Sequence, residues 1–138
     1  MKKIGVLYFM LLVFTTCFTF CSAQQNGPAE VYDLYLASIK SADSLDDLYP
    51  YITSRKKSSL ESIPEENKPG SLQFKKNVAN STERKNIKTN INDNQAKLII
   101  NAVDTSSKKN VVVTVTMLKE GGNWKVDEEV FDFTIADN

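Results

Sequence analysis

The chain has 138 residues, 41% of them apolar, with 17 basic and 17 acidic side chains, two cysteines and no histidine. That is the length and composition of one globular domain. The missing histidine excludes a His-based triad, an imidazole general base and any His-containing zinc or haem site, so any chemistry falls to carboxylates, lysines, hydroxyls and tyrosines.

Met1-Lys2-Lys3 is a short positive segment, Ile4 to Phe20 carries no charge, and Cys21-Ser22-Ala23 puts small residues at −3 and −1 of a cut after Ala23. These are the three parts of a secretory signal. The expectation is therefore a cleaved signal over 1–23 and a single domain over 24–138, exported to the periplasm or the extracellular space. An uncleaved anchor is the first alternative. Lipidation is the second: Cys17 follows Thr16 and Cys21 follows Phe20, and neither setting matches a lipobox. Cleavage removes both cysteines and two lysines, leaving 15 basic against 17 acidic residues and no thiol. A disulfide framework, a thiol nucleophile and a Cys-rich metal site are then excluded. Near-neutral charge gives no long-range pull toward nucleic acid or an anionic membrane.

Pro28 suits a first helical turn, and Tyr32, Tyr35, Leu36 and Ile39 line one helical stripe that Val31 and Leu34 widen. Asp43 or Ser44 suits the cap of a second, short helix, with Asp46 and Asp47 in its first turn and Pro50 ending it. A third helix is predicted from about Thr53 to Ser62, with Leu60 and Ile63 facing inwards. Residues 65–83 give no clear period. Pro69-Gly70 reads as a turn, Leu72 and Phe74 as anchors of a short strand or turn, and Asn80-Ser81-Thr82 as a surface loop with the form of a glycosylation sequon. The segment is expected to be either a long loop or a piece that orders over the mouth of a site.

From Arg84 the period becomes two. Four strands are predicted over 86–92, 96–104, 110–120 and 123–133, joined by short turn-rich loops and therefore paired as antiparallel hairpins. Val111, Val113, Val115 and Met117 form a wholly apolar face that must bury on the helices. Val112, Thr114, Thr116 and Leu118 form a mixed face, which marks them as candidates for an interface, a homodimer among the alternatives. In the last strand Trp124 and Val126 share one parity while Phe131, Phe133 and Ile135 share the other, which predicts a bulge near Asp127-Glu128-Glu129. The fold class that follows is α+β, with N-terminal helices in the concave face of a bent four-stranded antiparallel sheet, cone-like in outline.

Two stretches carry a resemblance. Val31–Ile39 followed by Ser41–Ile52 is a helix, a polar break and a second short helix left by way of a proline, and Val111–Val126 is a long strand, a Gly-Gly turn and Trp-Lys-Val. Together they span about two thirds of residues 24–138, without 65–83. This arrangement resembles the nuclear transport factor 2-like superfamily, and more narrowly its small exported bacterial members of lumazine-binding-like or unassigned function. The resemblance implies the cone-like fold but not one function, since that fold hosts isomerases, dehydratases, transport adaptors and binders.

An enzyme of this kind needs an inward base. The candidates are Asp33, Asn101 and Asp127, Glu128 or Glu129, and no spacing selects a base with its orienting partner, so no catalytic residue is assigned. Asp127, Glu128, Glu129 and Asp132 invite a hard cation, but strand alternation brings at most two of them together, and no metal site or cofactor is assigned. Residues 55–88 hold nine basic against four acidic side chains and residues 120–137 one against six, an asymmetry suited to a protein partner or to a solvated surface. The basic half offers Phe74 alone as an aromatic, which argues against nucleic acid. Tyr32, Tyr35, Tyr51, Asn101 and Trp124 are the ligand-binding candidates, because clustered tyrosines can bring hydroxyls into a pocket at the helix–sheet interface. The expectation is an exported, non-catalytic binding domain for a small molecule or protein. An isomerase- or hydratase-type enzyme using an inward carboxylate and an immunity-like accessory protein stay open beside it.

Overall fold

The computed structural model describes residues 26–133. The signal segment over 1–23 with Cys17 and Cys21, and Ile135 at the far end, lie outside the described residues. The order is helix α1 (Pro28–Ser41), a 3-10 helix (Leu45–Tyr51), α2 (Ser54–Glu61), a 3-10 turn (Glu65–Asn67), α3 (Lys68–Ser81), then strands β1 (Thr82–Asn92), β2 (Gln95–Asp104), β3 (Lys109–Glu120) and β4 (Asn123–Asp132). The strands form one antiparallel sheet in chain order. The helices cover one of its faces, giving the α+β architecture anticipated from the sequence.

Helix α1 starts at Pro28, and the Glu30 carboxylate accepts the Gly27 N–H at 3.1 Å, satisfying an amide that the helix leaves free. Tyr32, Tyr35 and Ile39 are buried as their spacing requires. Leu34 is exposed and Leu36 half-buried, so the stripe is narrower than expected. The second helix is 3-10 throughout, and Pro50 sits inside it rather than ending it. Ser44 is its N-cap, one of the two positions expected, and from inside the first turn the Asp47 carboxylate accepts the N–H groups of Asp43 and Ser44 at 2.8 and 3.0 Å. Those bonds hold the Asp47 carboxyl below the usual carboxylate range.

The largest correction concerns residues 65–83, which are not a long loop: they hold the 3-10 turn (Glu65–Asn67), α3 (Lys68–Ser81) and the first two residues of β1. Pro69 and Gly70 lie in the first turn of α3, Leu72 and Ala79 are buried, Phe74 stands in solvent, and Asn80-Ser81-Thr82 is its last turn and exit. The apolar signal of this helix is thin because Lys75 and Lys76 occupy positions between Leu72 and Ala79 where its inward face would otherwise be apolar.

In the sheet, Leu98, Val111, Val113, Val115, Met117 and Val126 are fully enclosed against the helices. Strand β1 is a polar edge, with Lys85 and Lys88 discouraging further strand pairing. At the β3–β4 hairpin Gly121 and Gly122 have φ of 58° and 83°, the left-handed conformation that a two-residue turn requires. The β4 bulge is present: Thr116 pairs with Glu128 and Met117 with Val126, leaving Asp127 without a partner residue in β3. Beyond it Glu129 and Phe131 share the inner face with Val126, and the two apolar parities become one. A second bulge leaves Lys85 unpaired between Arg84 and Asn86.

Candidate functional site

Between α1, α3 and the inner face of the sheet lies a cleft of about 550 Å³. Ile100 and Val113 contribute from the sheet, Leu36 and Ala37 from α1, and Val78 and Ala79 from α3. Phe74, Phe131 and Phe133 line it as well. Phe131 and Phe133 are stacked, with ring centroids 6.2 Å apart, and Phe74 and Phe133 are 68% and 49% exposed. Large apolar side chains left in water around a concavity are the usual signature of a binding site.

The polar groups of the cleft fall into two sets. In the interior the Glu129 carboxylate accepts the Tyr32 hydroxyl at 3.1 Å, the Tyr35 hydroxyl at 3.0 Å and the Lys56 ammonium at 3.0 Å. The Glu129 side chain is 8% exposed and that of Lys56 13%, so this is a buried ion pair with two further donors, the arrangement that repays desolvation. Burial first, and the Glu129 charge second, push both phenols far above the ordinary tyrosine range, so they stay neutral donors. At the rim the Arg84 guanidinium donates to both oxygens of Asp33 at 2.6 and 3.2 Å. The β1 bulge makes this possible by keeping Arg84 opposite Ala102 on the inner face.

Lys75, on α3, lines the cleft without a hydrogen bond or ion pair among the described residues. Burial pushes its ammonium below the usual lysine range, a shift that Glu129 opposes and Lys56 adds to.

Outside the cleft, Asp127 is turned toward the helices by the bulge. It accepts the Thr53 hydroxyl at 2.7 Å and the Arg55 guanidinium at 3.1 and 2.6 Å. Thr53 is itself 1% exposed, caps α2 by accepting the Lys56 N–H, and donates its own N–H to Val126 at 3.0 Å. It is the joint between helix layer and sheet.

The ligand-binding candidates therefore separate. Tyr32 lines the cleft, and Tyr35 lies behind it on the same carboxylate. Tyr51 is half-buried against the core and does not line the cleft. Asn101 is placed on the opposite face, exposed, donating to Asn86 at 2.8 Å, because it alternates with buried Ile100 and Ala102. Trp124 is core, seven residues along β4 from Phe131, with the Lys119 ammonium 4.9 Å from its ring centre. Val112, Thr114, Thr116 and Leu118 lie half-buried on the outer face, with no element among the described residues packed over them. The last-strand carboxylates diverge: Asp127 to Arg55, Glu128 to solvent, Glu129 to the tyrosines. Among the described residues no group of three or more carboxylates is arranged to hold a metal ion.

Phe74 and Lys75 were the residues hardest to foresee as site members, since α3 itself left so little trace in the sequence. As for catalysis, Asp33, Asp127 and Glu129 each already accept from at least two donors. A general base needs a lone pair aimed at substrate, and these arrangements stabilise the carboxylates where they stand.

A scan against protein-family models and a search of curated proteins each returned no match. No helix among the described residues is long and apolar enough to cross a membrane.

Proposed function

We propose that this chain is an exported, non-catalytic binding domain whose ligand is a small, largely apolar molecule held between α1, α3 and the sheet. One observation carries the reading: an open apolar cleft of about 550 Å³ keeps three phenylalanines at its surface, while the carboxylates beside it are occupied by internal donors. The volume lies in the range of sites that enclose one small molecule. The leader-like first 23 residues support export, and the likeness to exported nuclear transport factor 2-like proteins supports binding within a helix-lined sheet.

The test uses the neutral fluorophore N-phenyl-1-naphthylamine with the full-length chain. Saturable binding to one site is expected, and Val78→Trp, which fills the cleft, abolishes it. Absence of binding, or binding that Val78→Trp leaves intact, overturns the reading. Cell fractionation of the expressing bacterium tests export, and retention of an uncleaved chain in the cytoplasm counts against it.

The outer sheet face supports a second element of the proposal, a homodimer. Lys88, Ile99, Thr114 and Val130 form one row across it. A two-fold axis parallel to the strands lays β1 of one copy over β4 of the other, bringing Lys88 toward Glu128 and Asp132, which flank Val130. A self-complementary patch of this kind is what an isologous interface requires.

A further inference from the structure

The charges around the cleft do not cancel one another locally. Asp33 is taken by Arg84, Glu83 by Lys85 at 2.6 Å, and Glu129 by Lys56 with the two tyrosyl hydroxyls. What remains on the cleft wall is cationic, namely Lys75 on α3 and Lys40 on α1. Lys75 is the informative one. Lys40 is exposed and its charge is served by water, whereas Lys75 is half-buried in the cleft wall and has no counter-ion in direct contact among the described residues. Withdrawing even part of an ammonium from water without a counter-ion is unfavourable, and an anionic ligand would offset that cost. Phe74, its neighbour in sequence, and the Phe131–Phe133 stack give the same cleft an aromatic lining.

We propose that the cleft takes a single-chain amphiphilic anion, a long-chain carboxylate, whose headgroup pairs with the Lys75 ammonium while its tail lies against Leu36, Phe74 and Phe131. This rests on the reading of the cleft as a small-molecule site and names the ligand class. Three features converge on it. The lining is apolar along most of its wall, which a tail requires and a sugar or nucleotide does not. The residual charge is positive, which selects an anion over a neutral alcohol. The volume suits one acyl chain rather than a two-chain lipid.

Calorimetric titration of the full-length chain with dodecanoate and with dodecanol, both below micelle-forming concentrations, tests this. Dodecanoate is expected to bind at least about tenfold more tightly. Lys75→Met is expected to remove that preference by weakening dodecanoate alone, and Lys75→Arg to keep it. Lys75→Met deletes a half-buried charge that has no counter-ion in contact among the described residues, so its Tm is expected to match or exceed the parent's, and Lys75→Gln repeats the test with a polar side chain. Equal binding of acid and alcohol, or a preference that survives Lys75→Met, overturns the anion assignment and leaves the apolar cleft standing. Failure of both ligands to bind overturns the small-molecule reading itself, and the ligand class with it.

Discussion

The Tyr35 hydroxyl donates to Glu129 over 3.0 Å, joining the middle of α1 to a strand residue 94 positions later in the chain. Tyr32 does the same one turn earlier, and Lys56 closes the group from α2. One carboxylate thus pins two helices to β4. Hydrogen bonds to a charged group contribute about 1.5–3 kcal/mol each. Tyr35→Phe is expected to cost that much in a denaturant titration. Tyr32→Phe with Tyr35→Phe should cost less than the sum, because both act on one acceptor. Glu129→Ala should exceed either, at about 3–5 kcal/mol, since it strands the nearly buried Lys56. Full additivity in the double variant would contradict the shared-pin account.

Asp127 gives the chain an acid-sensitive joint. The Arg55 guanidinium, helped by the Thr53 hydroxyl, holds its carboxyl below the usual carboxylate range despite partial burial. A carboxylate depressed in the native state adds stability above its unfolded pKa of about 3.9 and loses it as pH falls through the native value. The parent should therefore be more stable than Asp127→Asn near neutrality, with the gap closing below about pH 4. Asp47, Glu83 and Asp104 are likewise depressed but present in both proteins, so they largely cancel in the difference. Urea titrations across the acid range measure it, and a gap independent of pH would refute the linkage.

Phe74 separates binding from folding. It is 68% exposed, so Phe74→Ser should change stability by no more than about 0.5 kcal/mol. The same substitution should weaken N-phenyl-1-naphthylamine binding several-fold, because the ring lines the cleft. Unchanged affinity would remove Phe74 from the site.

The outer face makes its own prediction. Sedimentation equilibrium should show a concentration-dependent dimer that weakens with added salt, since Lys88, Glu128 and Asp132 are surface charges screened over about 10 Å at 0.1 M. Val130→Glu, at a position 52% exposed, should yield a folded monomer. A parent that stays monomeric at high concentration would end the dimer proposal.

What the sequence determined by itself was local and periodic. The alternation of Val111, Val113, Val115 and Met117 fixed which face of β3 is buried, Gly121-Gly122 fixed the hairpin, and the parity break between Val126 and Phe131 placed a bulge near Asp127-Glu128-Glu129, which the register puts at Asp127. Each is a rule acting over a few residues, where backbone geometry dictates the side-chain period. Tertiary structure decided the rest. Helix α3 escaped notice because Lys75 and Lys76 stand where its inward stripe should be apolar, and its stability comes from Leu72 and Ala79 docking on distant elements. Asn101 was expected inside and stands outside, because register against β1 and β3 sets its face. Glu129, Asp33 and Lys75 are ordinary charges when read along the chain. Only packing shows that the first two are satisfied from remote helices and strands and that the third has no counter-ion in contact among the described residues, since burial and partnership are properties of neighbours in space.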